Sequence, residues 1–219
     1  MPHVFEMKDF GELHYCLGLE VWRNVGQTFV SQGKYVREVL KKFKMDQCKV
    51  SYVPMQQNMK LYCDDGSKEV NGTVYRQMVG SLNYLTTTIP DIAYFFSALS
   101  QFMEKHLENH WNAVKAVLRY LKGTIDYGIK YTDSFDVELA GYSDSDWAGN
   151  QDDQRSTTGY AFGIGSRIVS WSSKNQPTIS LSSTEVEYKV LCVETCEVVW
   201  LRRLLQYVGE EKRSYDNQM

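Results

Sequence analysis

At Gly123 the spacing of the apolar residues turns from helical to alternating, and that change constrains the class of fold. Before it, hydrophobic side chains recur at three- and four-residue steps. Met78, Val79, Leu82 and Leu85 form one such set, and Trp111, Val114, Leu118 and Leu121 another. That spacing lines one face of a helix. After Gly123, Tyr127/Ile129/Tyr131, Val137/Leu139, Tyr160/Phe162/Ile164 and Val169/Trp171 alternate with other residues, which predicts four short strands. A helical pattern from about Ser183 to Tyr207 then closes the chain's ordered pattern. The expected fold is therefore α/β (α+β overall). A helical segment with a β-hairpin, residues 1–125, precedes a mixed sheet with a packed helix, residues 126–219. With 219 residues at 43% hydrophobic content, one large domain or two small ones can be buried.

The hairpin comes first. Leu13 to Trp22 is rich in strand formers, Asn24-Val25-Gly26 reads as a turn, and Gln27–Ser31 returns. Tyr35, Val36, Val39, Leu40 and Phe43 then follow at helical spacing, with Lys34, Arg37, Lys41, Lys42 and Lys44 around them. Residues 48–74 read as a long connection marked by Pro54, Asp64-Asp65-Gly66-Ser67 and Asn71-Gly72. A helix begins near Tyr75 and another follows Ile89-Pro90-Asp91, where proline suits a helix start. A third runs from about Asn109 to Lys122, with Lys115, Arg119 and Lys122 on a face of their own. These basic faces are either solvated surface or contacts to a nucleic-acid backbone.

Charge divides along the same line as the period. Residues 1–125 carry 15 Lys and Arg against 12 Asp and Glu, and residues 126–219 carry 9 against 15. Such a split suits phosphate contacts in the first part and metal ligands in the second. No run approaches the ~18 apolar residues of a membrane span. The start, Met1-Pro2-His3-Val4-Phe5-Glu6, has no basic region followed by an apolar stretch. Five scattered cysteines fit a reduced protein of the cytoplasm or nucleus, not a secreted one. Cys192 and Cys196, one helical turn apart, are expected to be neighbouring buried thiols rather than half of a zinc site.

The chemistry-bearing residues lie in the second part. Gly141-Tyr142-Ser143-Asp144-Ser145-Asp146-Trp147-Ala148-Gly149 runs as a strand into two aspartates and then a turn. Some forty residues later, Leu181-Ser182-Ser183-Thr184-Glu185-Val186-Glu187-Tyr188 opens the last helix. Ser182 and Glu185 have the spacing of a capping box, so Glu185 is expected to be structural. Glu187 continues through Leu191, Glu194, Val198, Leu201 and Leu205 at helical steps, a line expected to face the sheet. A carboxylate drawn toward a strand end needs neutralising, and a divalent metal shared with Asp144 would do so. The alternative for Asp144 and Asp146 is an ordinary turn.

At these residues the chain resembles a known family. Gly141–Gly149, Arg155-Ser156-Thr157-Thr158-Gly159-Tyr160, the stretch from Ile168 to Pro177, and Leu181–Tyr188 are similar to the ribonuclease H region of copia-type retrotransposon Pol polyproteins. Lys8-Asp9-Phe10-Gly11, Leu17-Gly18-Leu19-Glu20, Val79-Gly80-Ser81-Leu82-Asn83-Tyr84-Leu85, Pro90-Asp91-Ile92 and the stretch from Val117 to Thr124 resemble the reverse-transcriptase part downstream of its catalytic motif. The resemblance implies a thumb-and-connection remnant followed by a ribonuclease H-like domain truncated at its C-terminus. Leu17–Val21 would correspond to the primer grip. Asp144, Glu187 and Asp216, the last in Tyr215-Asp216-Asn217-Gln218, would be the catalytic and metal ligands.

The implied ancestral reaction is cleavage of the RNA strand of an RNA–DNA hybrid with Mg²⁺, or Mn²⁺ in its place. The polymerase's Tyr-x-Asp-Asp turn has no counterpart here. Tyr62-Cys63-Asp64-Asp65 falls in the connection, so polymerase activity is not expected. Ile89, Val186 and Val190 stand where the family usually has Arg, Ala and Ala. With the carboxylate set incomplete, the expectation is an inactive remnant that contacts nucleic acid through Lys41, Lys44, Lys115, Arg119 and Lys122. An active nuclease and a co-opted, effector-like interaction protein are the alternatives.

Overall fold

The computed structural model describes residues 11–56, 59–132, 138–150, 152–165 and 167–208. Strands β1 (Tyr15–Cys16), β2 (Leu19–Asn24) and β3 (Gln27–Ser31) lead into helix α1 (Gly33–Lys42). Helix α2 (Gly72–Leu85), a 3₁₀ turn (Pro90–Ile92), α3 (Ala93–Ser100) and α4 (Glu108–Gly123) follow. Then come β4 (Gly128–Thr132), β5 (Leu139–Asp146), β6 (Thr157–Ile164), β7 (Arg167–Asn175) and α5 (Ser183–Val208). The molecule is mixed α/β with two antiparallel sheets, in the orders β1-β2-β3-β4 and β5-β6-β7.

The hairpin forms as its turn predicts, with Asn24 opposite Gln27. The extended stretch before it does not run unbroken from Leu13. Leu17 and Gly18 adopt left-handed backbone, with φ of 49° and 79°. Gly18 needs no Cβ there, and one would press on the Tyr84 ring. Four predicted strands also divide differently. β4 pairs with β3, Ile129 opposite Val30, and so completes the first sheet rather than joining the second. Buried Ile129 gives the physical reason, because its apolar face is covered in the first sheet. Val137 lies outside the described residues.

Helix starts draw on local and distant caps. Asn71 Oδ1 accepts from Val74 N at 3.1 Å to begin α2. Gln32 offers α1 no side-chain cap, and the buried Glu20 of β2 substitutes, its Oε2 accepting from Lys34 N at 2.8 Å. In α4, His110 Nδ1 accepts from Leu107 N at 3.0 Å, which leaves its Nε2 to donate to Tyr62 O, also at 3.0 Å.

One core joins the first four helices. Val36, Val39 and Leu40 of α1 meet Met78, Val79, Leu82 and Leu85 of α2, Leu99 of α3, and Val114, Val117, Leu118 and Leu121 of α4. Each such side chain contributes about 1.5–3 kcal/mol on burial. The second sheet docks against this body and against β4 through side chains of β7 and of the turn after β5. Trp171 Nε1 donates to Thr86 O at 2.8 Å, Asn150 Nδ2 to Gln101 Oε1 at 2.6 Å, and Arg167 Nη2 to Thr132 Oγ1 at 3.1 Å.

Candidate active site

Strand alternation decides where the two aspartates point. In β5, Asp144 stands opposite Gly159 and Asp146 opposite Thr157, so both share the face that includes Ala161 and Trp171. Trp171 reaches α2 from that face. Asp144 and Asp146 line a cavity of about 280 Å³ with Pro90, Ala93 and Tyr94. The other face carries Thr158, Tyr160, Phe162 and Ser170, and α5 covers it. Ser170 Oγ donates to Glu197 Oε1 at 2.6 Å. Burial raises the Tyr160 phenol, and the nearby Glu197 charge adds to the rise.

The end of β5 is held by its turn. Trp147 Nε1 donates to Ser180 O at 3.2 Å, and Ala148 N to Ser156 Oγ at 3.1 Å. Gly149 lies so close to the Asp146 carboxylate that a Cβ would collide with it. Asp144 is exposed, and its Oδ1 accepts from Ser145 N at 2.8 Å. A larger cleft of about 850 Å³ opens beside Asp146, walled by Tyr94, Phe95, Trp147 and Asn150.

The start of α5 bears out the structural reading of Glu185. Ser182 Oγ accepts from Glu185 N at 3.2 Å, and Glu185 Oε2 reaches back to Leu181 N at 2.8 Å. Lys189, bonded to Glu185 at 2.8 Å, and that backbone N–H hold its carboxyl below the ordinary value of 4.5. Glu187 does not face the sheet as its spacing predicted. It is exposed, like Leu191; of the predicted line Leu201 is buried, together with Val186 and Val190, which that line did not include. The buried line runs through the two valines because leaving water stabilises an apolar side chain and costs an unpaired carboxylate.

Asp144 and Glu187 thus belong to different layers, one facing α3 and the other exposed on the helix beyond the sheet. Asp216 lies outside the described residues. Among the described residues, no three His, Cys, Asp or Glu side chains gather in a way that could hold a metal ion. The side chains described here do not fit a two-ion centre.

Sequence reasoning missed the groups that fix α5 on the sheet. Gln176 is buried between layers, its Nε2 donating to Thr158 Oγ1 of β6 at 3.0 Å and to Val186 O of α5 at 3.5 Å, and its Oε1 accepting from Ser180 Oγ at 3.0 Å. Lys189 adds bonds to Thr178 Oγ1 and Ser180 Oγ. A glutamine before proline at a strand end was the available signal. The expected neighbouring buried thiols are a second correction, since Cys192 and Cys196 are both exposed. Their positions on α5 fall outside the line covered by the sheet.

The five basic candidates separate as well. Lys122 Nζ donates to Cys48 O at 2.6 Å, and Lys115 lies over the Trp111 ring, 5.3 Å from its centre. Lys41, Lys44 and Arg119 are exposed. None of the five lines the cavities beside Asp144 and Asp146. Tyr62–Asp65 lies in the connection, where Asp65 accepts from Ser67 N at 2.8 Å and Ser67 and Asn109 hold its carboxyl down at about 2. The described residues contain no helix long and apolar enough to cross a membrane.

Comparison with known proteins gives the family. The chain is 42% identical over 205 residues to the retrovirus-related Pol polyprotein from transposon RE2 of Arabidopsis thaliana, covering 94% of this chain and 14% of that protein. It is 38% identical over 200 residues to an uncharacterized mitochondrial protein of Arabidopsis thaliana, 91% of this chain and 83% of the relative. It is 48% identical over 128 residues to secreted RxLR effector protein 161 of Plasmopara viticola, 58% of this chain and 90% of the relative. No family model and no solved structure matches. The chain belongs to the retrovirus-related Pol polyproteins of copia-type retrotransposons and corresponds to one segment of them.

Proposed function

We propose that this segment is a ribonuclease H-type remnant that has kept the strand and helix around Asp144 and Glu187 without gathering, among the described residues, the carboxylate cluster that hybrid cleavage requires. The observation that carries the reading is the placement of the two side chains on different layers, with no third ligand gathered among the described residues. In the ancestral reaction, bound Mg²⁺ supplies an activated water and stabilises the leaving oxygen. Divalent ions need several oxygen ligands converging on one point, and exposed carboxylates that do not converge remain hydrated instead. What the remnant keeps toward RNA–DNA hybrid is charge: Lys41, Lys44 and Arg119 are exposed and available to phosphates.

The test is a cleavage assay of the purified chain on RNA–DNA hybrid in Mg²⁺ and in Mn²⁺. The expected outcome is no product above that of Asp144→Asn in either ion. Cleavage that Asp144→Asn abolishes would overturn the proposal. A second reading is a co-opted interaction protein, favoured by the 48% identity to a protein named as a secreted effector. One stoichiometric protein partner, recovered alongside absent hybrid binding, would replace the first reading with the second.

A further inference from the structure

Two thiols on α5 line neither the cavities beside Asp144 and Asp146 nor the helical core. Cys192 and Cys196 are four residues apart on a continuous helix, both exposed and neither in a disulfide. Four residues of α-helix rise about 6.0 Å, and Cβ atoms at that spacing lie roughly 5–6 Å apart on one flank. The spacing decides which chemistry the pair can perform. A disulfide needs Cβ atoms about 3.5–4.5 Å apart and sulfurs about 2.05 Å apart, so closing one would break the helical geometry. An ion bridging two sulfurs in line, with metal–sulfur bonds of about 2.3 Å, needs sulfurs roughly 4.6 Å apart. Side-chain rotation reaches that separation without moving the backbone.

Ligand number then selects the ion. Zinc takes four protein ligands in a structural site and about three in a catalytic one, whereas Mg²⁺ and Ca²⁺ take oxygen. No third His, Cys, Asp or Glu joins the pair among the described residues. An all-sulfur site with two ligands suits soft monovalent copper.

We propose that Cys192 and Cys196 form a two-coordinate site for Cu(I) on the exposed flank of α5. Binding forms two Cu–S bonds, breaks two S–H bonds and releases two protons to solvent, with no change in oxidation state. The site is independent of hybrid cleavage, since neither thiol lines the cavities beside Asp144.

The experiment titrates the full chain with Cu(I), supplied as its acetonitrile complex under anaerobic conditions, against a chromophoric Cu(I) chelator. One ion per chain is expected, on a chain that stays monomeric. Tethering two thiolates on one helix raises affinity through effective concentration. Cys192→Ser and Cys196→Ser should each therefore weaken binding by about 100-fold or more. Cys63→Ser should leave it unchanged, and circular dichroism should report the same helix content in all three variants. Single variants that bind like the parent, or a loss that follows Cys63→Ser instead, would overturn the assignment.

Discussion

The helical body and the second sheet are built to different standards of burial. Tyr75, Leu82, Leu85, Leu99 and Leu118 are wholly enclosed in a core shared by four helices. The β5–β7 sheet and α5 bury Phe162, Val186, Val190 and Leu201, while Trp200 and Tyr207 of the same helix stay 55% and 90% exposed. The sheet carries the candidate site, and the body carries most of the burial. A region with few buried apolar side chains opens more readily than its neighbour. The second sheet is therefore expected to draw part of its order from docking on α2 and α3.

The strongest way to break that comparison is to damage the body and watch the sheet. Leu82→Ala empties a fully buried position in α2 and should cost about 2–5 kcal/mol. In urea titrations, far-ultraviolet circular dichroism and tryptophan fluorescence should then fall together at a lower midpoint. A sheet that unfolded at its original midpoint in that variant would be independent of the body, and the asymmetry argued above would be wrong.

The same difference in burial decides what the sequence could tell. Residues inside the body repeat at clean helical steps, and Val114, Leu118 and Leu121 were legible because every one of them is enclosed. On α5 the apolar residues go nearly all round the helix, so spacing alone allowed two lines. The line through Glu187 and Leu191 was one residue from the line through Val186 and Val190 that is buried. Strand partners were illegible for another reason. Tyr127, Ile129 and Tyr131 alternate as any strand does, and pairing with β3, nearly a hundred residues earlier, is a long-range choice that local pattern does not encode. Asp144 was found by motif and lies at the strand end as expected. Which face it takes depends on the register with β6, a property of the folded pair.

A second, smaller effect isolates the body by pH. His110 is fully enclosed, and burial holds its imidazole below the ordinary value of 6.5, only partly opposed by the bond to Tyr62 O. Its Nδ1 accepts from Leu107 N, so a proton there would set two donors against each other at the start of α4. The unfolded chain takes up that proton near pH 6.5 and the folded chain resists it. Stability is therefore full above pH 6.5 and falls as pH drops below it, by at most about 1.4 kcal/mol per pH unit for one proton. The lowered carboxyls of Asp64, Asp65 and Glu185 act in a more acid range, below their ordinary values of 3.8 to 4.5. Urea midpoints measured between pH 6.5 and 5 should slope downward in the parent chain and flatten in His110→Gln. A slope that survives the substitution belongs to another group.

The finest test acts on the joint between the two regions. Trp171 spans it, lining a cavity together with Ala93 and Tyr94 of α3 and donating its Nε1–H to Thr86 O at the end of α2. Trp171→Phe keeps an aromatic ring and removes the donor, at a cost of about 0.5–1.5 kcal/mol. If docking orders the second sheet, the loss should be local. Amide hydrogen exchange should quicken in β6 and β7 while α2 and α4 keep their protection. Equal loss in both regions would mean that the chain opens as one unit, and the thin burial around Asp144 would then reflect shared rather than borrowed stability. No change anywhere would mean that the sheet is held by its own pairing and by Gln176, which bonds Thr158 Oγ1 of β6 and Val186 O of α5, with the indole bond incidental.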